Sequence, residues 1–175
     1  MENKVVPTKD NMKRKNWPGD PSCCFCSQIE TVDHLFFQCL VAKVTLGIVG
    51  HCLGATEKPQ TTLQYRVWIN KWLPSGVVVH HFGFAAICWA TWKCRNKACF
   101  DKKLIKHPVE INFHASSFMT YWVGLYNSEV QGSPMVGVKA LLACAHRVLA
   151  QQPNNAPRRL SATVEEVTTD DEDAV

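Results

Sequence analysis

Apolar residues recur along this chain at steps of three and four, the spacing of helix faces, and polar breaks separate the runs. Residues 1–22 are polar and basic, with Pro7, Pro18, Gly19 and Pro21 as breakers. The stretch Thr31–Gln38 reads as a short helix. Thr31 suits its N-cap, and Asp33 in the first turn suits the helix dipole. Residues 40–53 continue as an apolar helix ending near Gly54, and residues 55–61 form a loop. Residues 62–73 place Leu63, Val67 or Trp68, and Trp72 on one face. The longest periodic run, residues 77–100, aligns Phe82, Ala85, Trp89, Trp92, Asn96 and Cys99. Lys93, Arg95 and Lys97 then fall on a solvated opposite face. After the break at His107-Pro108, residues 109–126 align Ile111, Ala115, Phe118, Trp122 and Leu125. Residues 127–134 read as a turn, and residues 135–151 as a last helix burying Val138, Leu141, Leu142, Ala145 and Leu149. The run Gly76–His80 leaves a short strand and the start of the next helix both open. No repeat of fixed period is evident. The expected fold is mainly α: a small Cys/His finger followed by a bundle of about four helices.

Three regions follow: residues 1–54, a basic segment and finger; residues 62–152, an aromatic-rich helical region; residues 153–175, a polar tail expected to be disordered. A length of 175 residues suits one domain, or one plus an appendage. No run of ~18 apolar residues suggests a membrane span. The opening MENKVVPTKDNMKRKNW lacks the apolar centre of a secretory signal, so an intracellular location is expected, nucleus or cytoplasm. Nine Cys without such a signal argue for a reducing compartment and against a disulfide framework.

Charge is unevenly spread. The net charge is +4, but six of the 15 carboxylates fall in residues 165–173, so residues 1–160, with all 19 Lys and Arg, carry +10. A basic body suits an anionic partner such as RNA or DNA, and equally an ordinary solvated surface. Lys9 and the run Lys13-Arg14-Lys15 are the best placed to contact phosphate, being clustered ahead of the finger.

Cys23, Cys26, His34 and Cys39 have the spacing C-x2-C-x7-H-x4-C. A tight turn presents the first two thiolates to one ion, and a nearby helix supplies the second pair. Three thiolates and an imidazole favour Zn2+, and four protein ligands leave no open position, so the site is structural. On a regular helix, residues five apart point about 140° away from each other. His34 and Cys39 therefore converge only if the helix tightens or ends near Cys39, with Leu35, Phe36 and Phe37 forming a small core beside the metal. Cys24 is a substitute ligand at an unfavourable spacing. The alternative is that these Cys are small buried hydrophobes. His80-His81 and the Cys88, Cys94, Cys99 set lack ligand spacing and read as core or surface. Cys144 and His146 point to different sides of a helix, which argues against a thiol nucleophile. Trp89, Trp92, Trp122 and Tyr121 read as core rather than as stacking platforms for bases.

The stretch from Cys23 through Glu30-Thr-Val-Asp-His34-Leu-Phe-Phe-Gln-Cys39 resembles the zinc-binding domain of plant non-LTR retrotransposon reverse transcriptases. Thr8–Lys15 resembles the basic segment before that domain's first Cys. Residues Ile87–Asn96, with Phe100, resemble the tryptophan-rich helix often found beyond it. The resemblance implies one structural Zn2+ on Cys23, Cys26, His34 and Cys39. It departs at Leu40, where Pro is common, and in lacking an upstream aromatic-rich segment. The polymerase is absent: there is no Tyr-x-Asp-Asp, and Asp10, Asp20, Asp33 and Asp101 are too scattered to hold two metal ions. The expectation is therefore a non-enzymatic terminal fragment of such an element. Its partners would be RNA or DNA, or other parts of a parent polyprotein. A helical scaffold with a purely structural zinc site is the alternative.

Overall fold

The computed structural model describes residues 6–72, 77–125 and 128–151. The expected disordered tail and the acidic run at 165–173 lie outside the described residues. Among the described residues six α-helices follow in order: α1 (Lys9–Lys13), α2 (Leu40–Cys52), α3 (Thr62–Trp72), α4 (Val77–Phe100), α5 (Val109–Val123) and α6 (Ser128–Ala150). A π-helical turn, His34–Gln38, precedes α2. Among the described residues the only β pairing is an isolated antiparallel bridge between Ser22 and Ile29. No described helix is long and apolar enough to cross a membrane.

Helices α4, α5 and α6 pack in series, α2 lies against α5 and α6, and the π-turn touches α2 and α4. One apolar core runs through all of them. Helix α3 joins through aromatic rings: Tyr65 stacks on Phe84 at 3.9 Å and meets Phe37 at 6.4 Å. The Trp68 indole N–H donates to the Glu57 carbonyl at 2.7 Å, pinning the loop before α3. Asn112 on α5 is fully buried and donates to the Thr45 carbonyl of α2 at 3.2 Å.

The helices stand where the periodicity places them, but several faces are rotated. The buried side of α4 carries Ala86, Ile87, Ala90, Thr91, Cys94, Arg95 and Ala98, while Ala85 and Trp89 face solvent. Small side chains let helices approach closely, so the alanine stripe takes the interior and the bulky aromatics move to the flank. On α5, Asn112, Ser116 and Met119 are buried and Leu125 beyond it is exposed; on α3, Tyr65 and Ile69 are buried and Leu63 and Val67 exposed. On α6, Cys144 replaces Leu149 in the interior. Val77 opens α4, so residues 77–80 enter a helix rather than a strand, while Gly76 lies outside the described residues. Helix α6 begins at Ser128, not 135, and keeps Pro134 inside it. Proline removes one backbone bond, yet the helix continues because tertiary contact with α5 outweighs local propensity.

Two further expectations are corrected. Arg95 is buried, not solvated. Cys24 and Cys99 form a disulfide with Cα atoms 6.1 Å apart, so the cysteines are not all free thiols. Cysteine count does not tell which side chains the fold brings together.

Candidate metal centre

The centre is assembled from a knuckle, a π-turn and a helix start. In the knuckle the Cys23 N–H donates to the Gln28 carbonyl at 2.6 Å and the Ser27 N–H to the Cys23 carbonyl at 2.9 Å. Ser27 takes a left-handed conformation (φ 61°) to close this turn. Cys23 and Cys26 thereby face the same side. The Thr31 hydroxyl accepts from the His34 N–H at 3.0 Å, the capping bond its sequence position predicts.

Convergence of His34 and Cys39 is solved by widening the helix rather than tightening it. The Cys39 N–H donates to the His34 carbonyl at 2.7 Å, an i→i+5 bond. Such a bond brings the fifth residue back over the first. Cys39 itself is extended (φ −56°, ψ 143°), which ends the turn and starts α2 in a new direction. The intervening Leu35 and Phe37 are fully buried, and Phe37 stacks on Phe84 at 5.9 Å. The expected small core beside the metal is therefore continuous with the main one.

The ligand atoms of Cys23, Cys26, His34 and Cys39 all lie within 4.8 Å of one another. Cys26 Sγ is 3.1 Å from His34 Nε2 and 3.7 Å from Cys39 Sγ; Cys23 Sγ is 4.0 Å from Cys39 Sγ. A tetrahedron with Zn–S near 2.3 Å has S···S edges of about 3.8 Å, so the donor set fits zinc in both chemistry and size. Cys23, His34 and Cys39 are buried and Cys26 is half-buried. Each sulfur also accepts an amide hydrogen bond two residues on: from Phe25 at 3.5 Å, from Gln28 and from Val41. These donors stabilise thiolate charge and aim the sulfurs. Cys24 is excluded from the set by its bond to Cys99.

Contact with the Cys39 thiol holds the Cys23 thiol below its ordinary range, and the same contact, with burial, pushes Cys39 up. Desolvation pushes Cys26 up. Without metal the group thus concentrates negative charge on Cys23 and keeps protons on the other two. Zinc uptake at neutral pH should release about two protons, from Cys26 and Cys39, and apparent affinity should rise about 100-fold per pH unit there. A zinc titration in weak buffer with a pH indicator reads this count directly. No proton release would contradict the arrangement.

A second feature, not foreseen from the sequence, locks the knuckle to the bundle. Glu30 is 0% and Arg95 2% exposed. Arg95 Nη2 and Nε donate to Glu30 Oε1 at 2.6 and 3.1 Å, and Nε also reaches Oε2 at 3.1 Å. Glu30 Oε1 accepts the Lys9 backbone N–H at 3.0 Å as well. The guanidinium lies 4.9 Å from the Trp92 ring and donates to Asn96 Oδ1 at 2.9 Å. Every polar atom of the pair finds a partner, which is what burial of charge requires. The available signal was the alanine and cysteine stripe that passes through Arg95.

The basic residues named from sequence sit on and just after α1. Lys13 and Lys15 are exposed. Lys9 Nζ donates to the Ser22 carbonyl at 2.5 Å, and exposed Arg14 pairs with Asp10 at 3.1 Å. His146 lies against Phe113 at 4.9 Å, and Cys144 is buried with Arg147 Nη2 3.2 Å from its sulfur, so Cys144 and His146 form no catalytic pair.

Comparison with curated proteins and with solved structures gives no match. Residues 1–45, which contain all four members of the Cys/His group, match the protein family described as zinc-binding in reverse transcriptase.

Proposed function

We propose that this chain is a non-catalytic module in which Cys23, Cys26, His34 and Cys39 hold one structural Zn2+ and a basic surface binds RNA or DNA. The closed Cys3His group inside the matched segment carries the zinc reading. Four protein donors leave no position for substrate, so the ion would organise the fold rather than perform chemistry. The match of residues 1–45 supports reading the chain as related to the C-terminal part of retrotransposon reverse transcriptases.

The nucleic-acid reading is supported by charge: Lys9, Lys13, Arg14 and Lys15 lie together around α1, and the body beyond them is basic. With about three phosphate contacts to a single strand, affinity should fall roughly 20-fold between 50 and 200 mM salt. Fluorescence anisotropy with a labelled oligonucleotide across that range tests it, beside Lys13→Glu/Lys15→Glu. Binding that ignores salt, or equal binding by the variant, would contradict the reading.

One observation favours the scaffold alternative. Trp89, Tyr121 and Leu125 are exposed along α4, α5 and the turn after it, and Phe118 stacks on Trp122 at 6.0 Å within α5. Such a surface suits docking against another part of a polyprotein. Self-association in sedimentation, with no retention of nucleic acid, would favour it.

A further inference from the structure

A cleft of about 590 Å3 lies between the α1 arm and the C-terminal end of α4. It is bounded by Lys9 and Trp17 on one side, by Phe100 and Lys102 on the other, and by the Cys24–Cys99 disulfide across its floor. None of the proposed zinc ligands except Cys23 reaches it.

We propose that this cleft seats an unpaired nucleotide of a bound single strand, with Trp17 and Phe100 offering ring faces to the base and Lys9 and Lys102 meeting its phosphates. The inference rests on the nucleic-acid reading above and gives it a location. Three observations carry it.

The first is charge. The fold brings two basic runs, distant in sequence, to opposite rims. Lys13, Arg14 and Lys15 lie between lining residues Met12 and Trp17; Lys103 lies between lining residues Lys102 and Leu104. All of these cations are exposed. Two carboxylates offset part of this charge: Asp20, which lines the cleft and accepts the Ser22 N–H at 2.9 Å, and exposed Asp101, between lining residues Phe100 and Lys102; the cations outnumber them on each rim. The Arg95 charge at the floor is cancelled by Glu30. A phosphodiester therefore meets net positive charge on both sides.

The second is the pair of aromatic groups. Phe100 is 72% exposed at the end of α4, which leaves its ring open to a ligand. Trp17 is half-buried and its ring lies flat on Gly19, where a Cβ would stand 1.9 Å from the indole. Gly19 thus lets the indole settle on the backbone at the cleft wall. Cations alternating with ring faces are how sequence-tolerant single-strand grooves work.

The third is shape. The volume falls within the ~300–1,000 Å3 range of ligand clefts and accommodates nucleotides one at a time, not a paired duplex. Lys102 has a left-handed backbone (φ 55°) and its exposed Nζ lies 3.4 Å from the Cys99 carbonyl, with donors to spare for a phosphate.

The test uses the full chain with labelled U12 and with the corresponding 12-base-pair duplex, at 50–200 mM salt. Phe100→Ala removes an exposed ring, so folding is not at stake. It should weaken U12 binding about tenfold, leave the salt slope unchanged and leave duplex binding unchanged. Lys102→Glu should weaken U12 binding and make the slope shallower by about 0.7. If both variants bind U12 as the unmodified protein does, while Lys13→Glu/Lys15→Glu is impaired, the strand lies on the arm alone. The cleft assignment then fails and the nucleic-acid reading stands. Equal loss of duplex binding in Phe100→Ala overturns the single-strand assignment. No binding by the unmodified protein at 50 mM salt overturns both.

Discussion

Cys26→Ser should leave the protein without zinc and without a folded knuckle. Apparent binding free energies of structural zinc reach about 10–16 kcal/mol in small fingers, the size of a whole domain's net stability of about 5–15 kcal/mol. Apart from the Glu30–Arg95 pair and the Cys24–Cys99 disulfide, which tie it to α4, the knuckle is held internally by one β bridge, short turns and the bonds to its sulfurs. Its loss would propagate, because Phe37 links the π-turn to Tyr65 and Phe84 in the main core. The expected result is one zinc per chain in tag-free unmodified protein by atomic emission. The variant should show none, with reduced helicity in circular dichroism. A zinc-free variant of full helicity and unchanged melting would show that packing alone shapes this segment.

The second large effect belongs to Glu30 and Arg95. Glu30→Leu leaves a guanidinium buried without a counter-charge, and Arg95→Met leaves a carboxylate in the same position. Each single change should cost about 3–5 kcal/mol in urea unfolding. The double variant should be far more stable than the sum of the two predicts, since matched apolar side chains relieve the desolvation penalty. Additive losses would mean that the two residues act through separate contacts. Glu30→Leu also removes the acceptor for the Lys9 N–H. Its cost should therefore exceed that of Arg95→Met.

The helices and the metal centre were largely legible in the sequence. Three- and four-residue spacing locates α3, α4 and α5 within a few residues, and C-x2-C-x7-H-x4-C names the four residues that the fold gathers. What the pattern obscured was which face turns inward. Trp89, Leu125 and Leu149 fit a helical stripe and are nonetheless exposed, because α4 and α6 pack through smaller residues such as Ala90, Ala98 and Ala145. Arg95 shows the same limit from the polar side. A charge flanked by Lys93 and Lys97 reads as solvated until Glu30, 65 positions away, is seen to meet it. The π-turn was invisible for a different reason: a five-residue hydrogen-bonded ring has no spacing signature of its own beyond the ligands it serves. Proximity of Cys24 and Cys99 is likewise a product of tertiary structure.

The Glu30–Arg95 pair has a consequence for how this architecture could be inherited. A finger that carries its own metal is easily pictured as a bead, exchangeable between proteins by recombination in the loop at residues 55–61. Here that loop is a poor crossover point. A finger transferred without α4 would carry a buried acid into a host with no arginine to receive it. The helices left behind would expose a cation that the fold is built to hide. Ancestors and hybrids of this chain are therefore expected to exchange the knuckle and α4 together, or to change residues 30 and 95 in step.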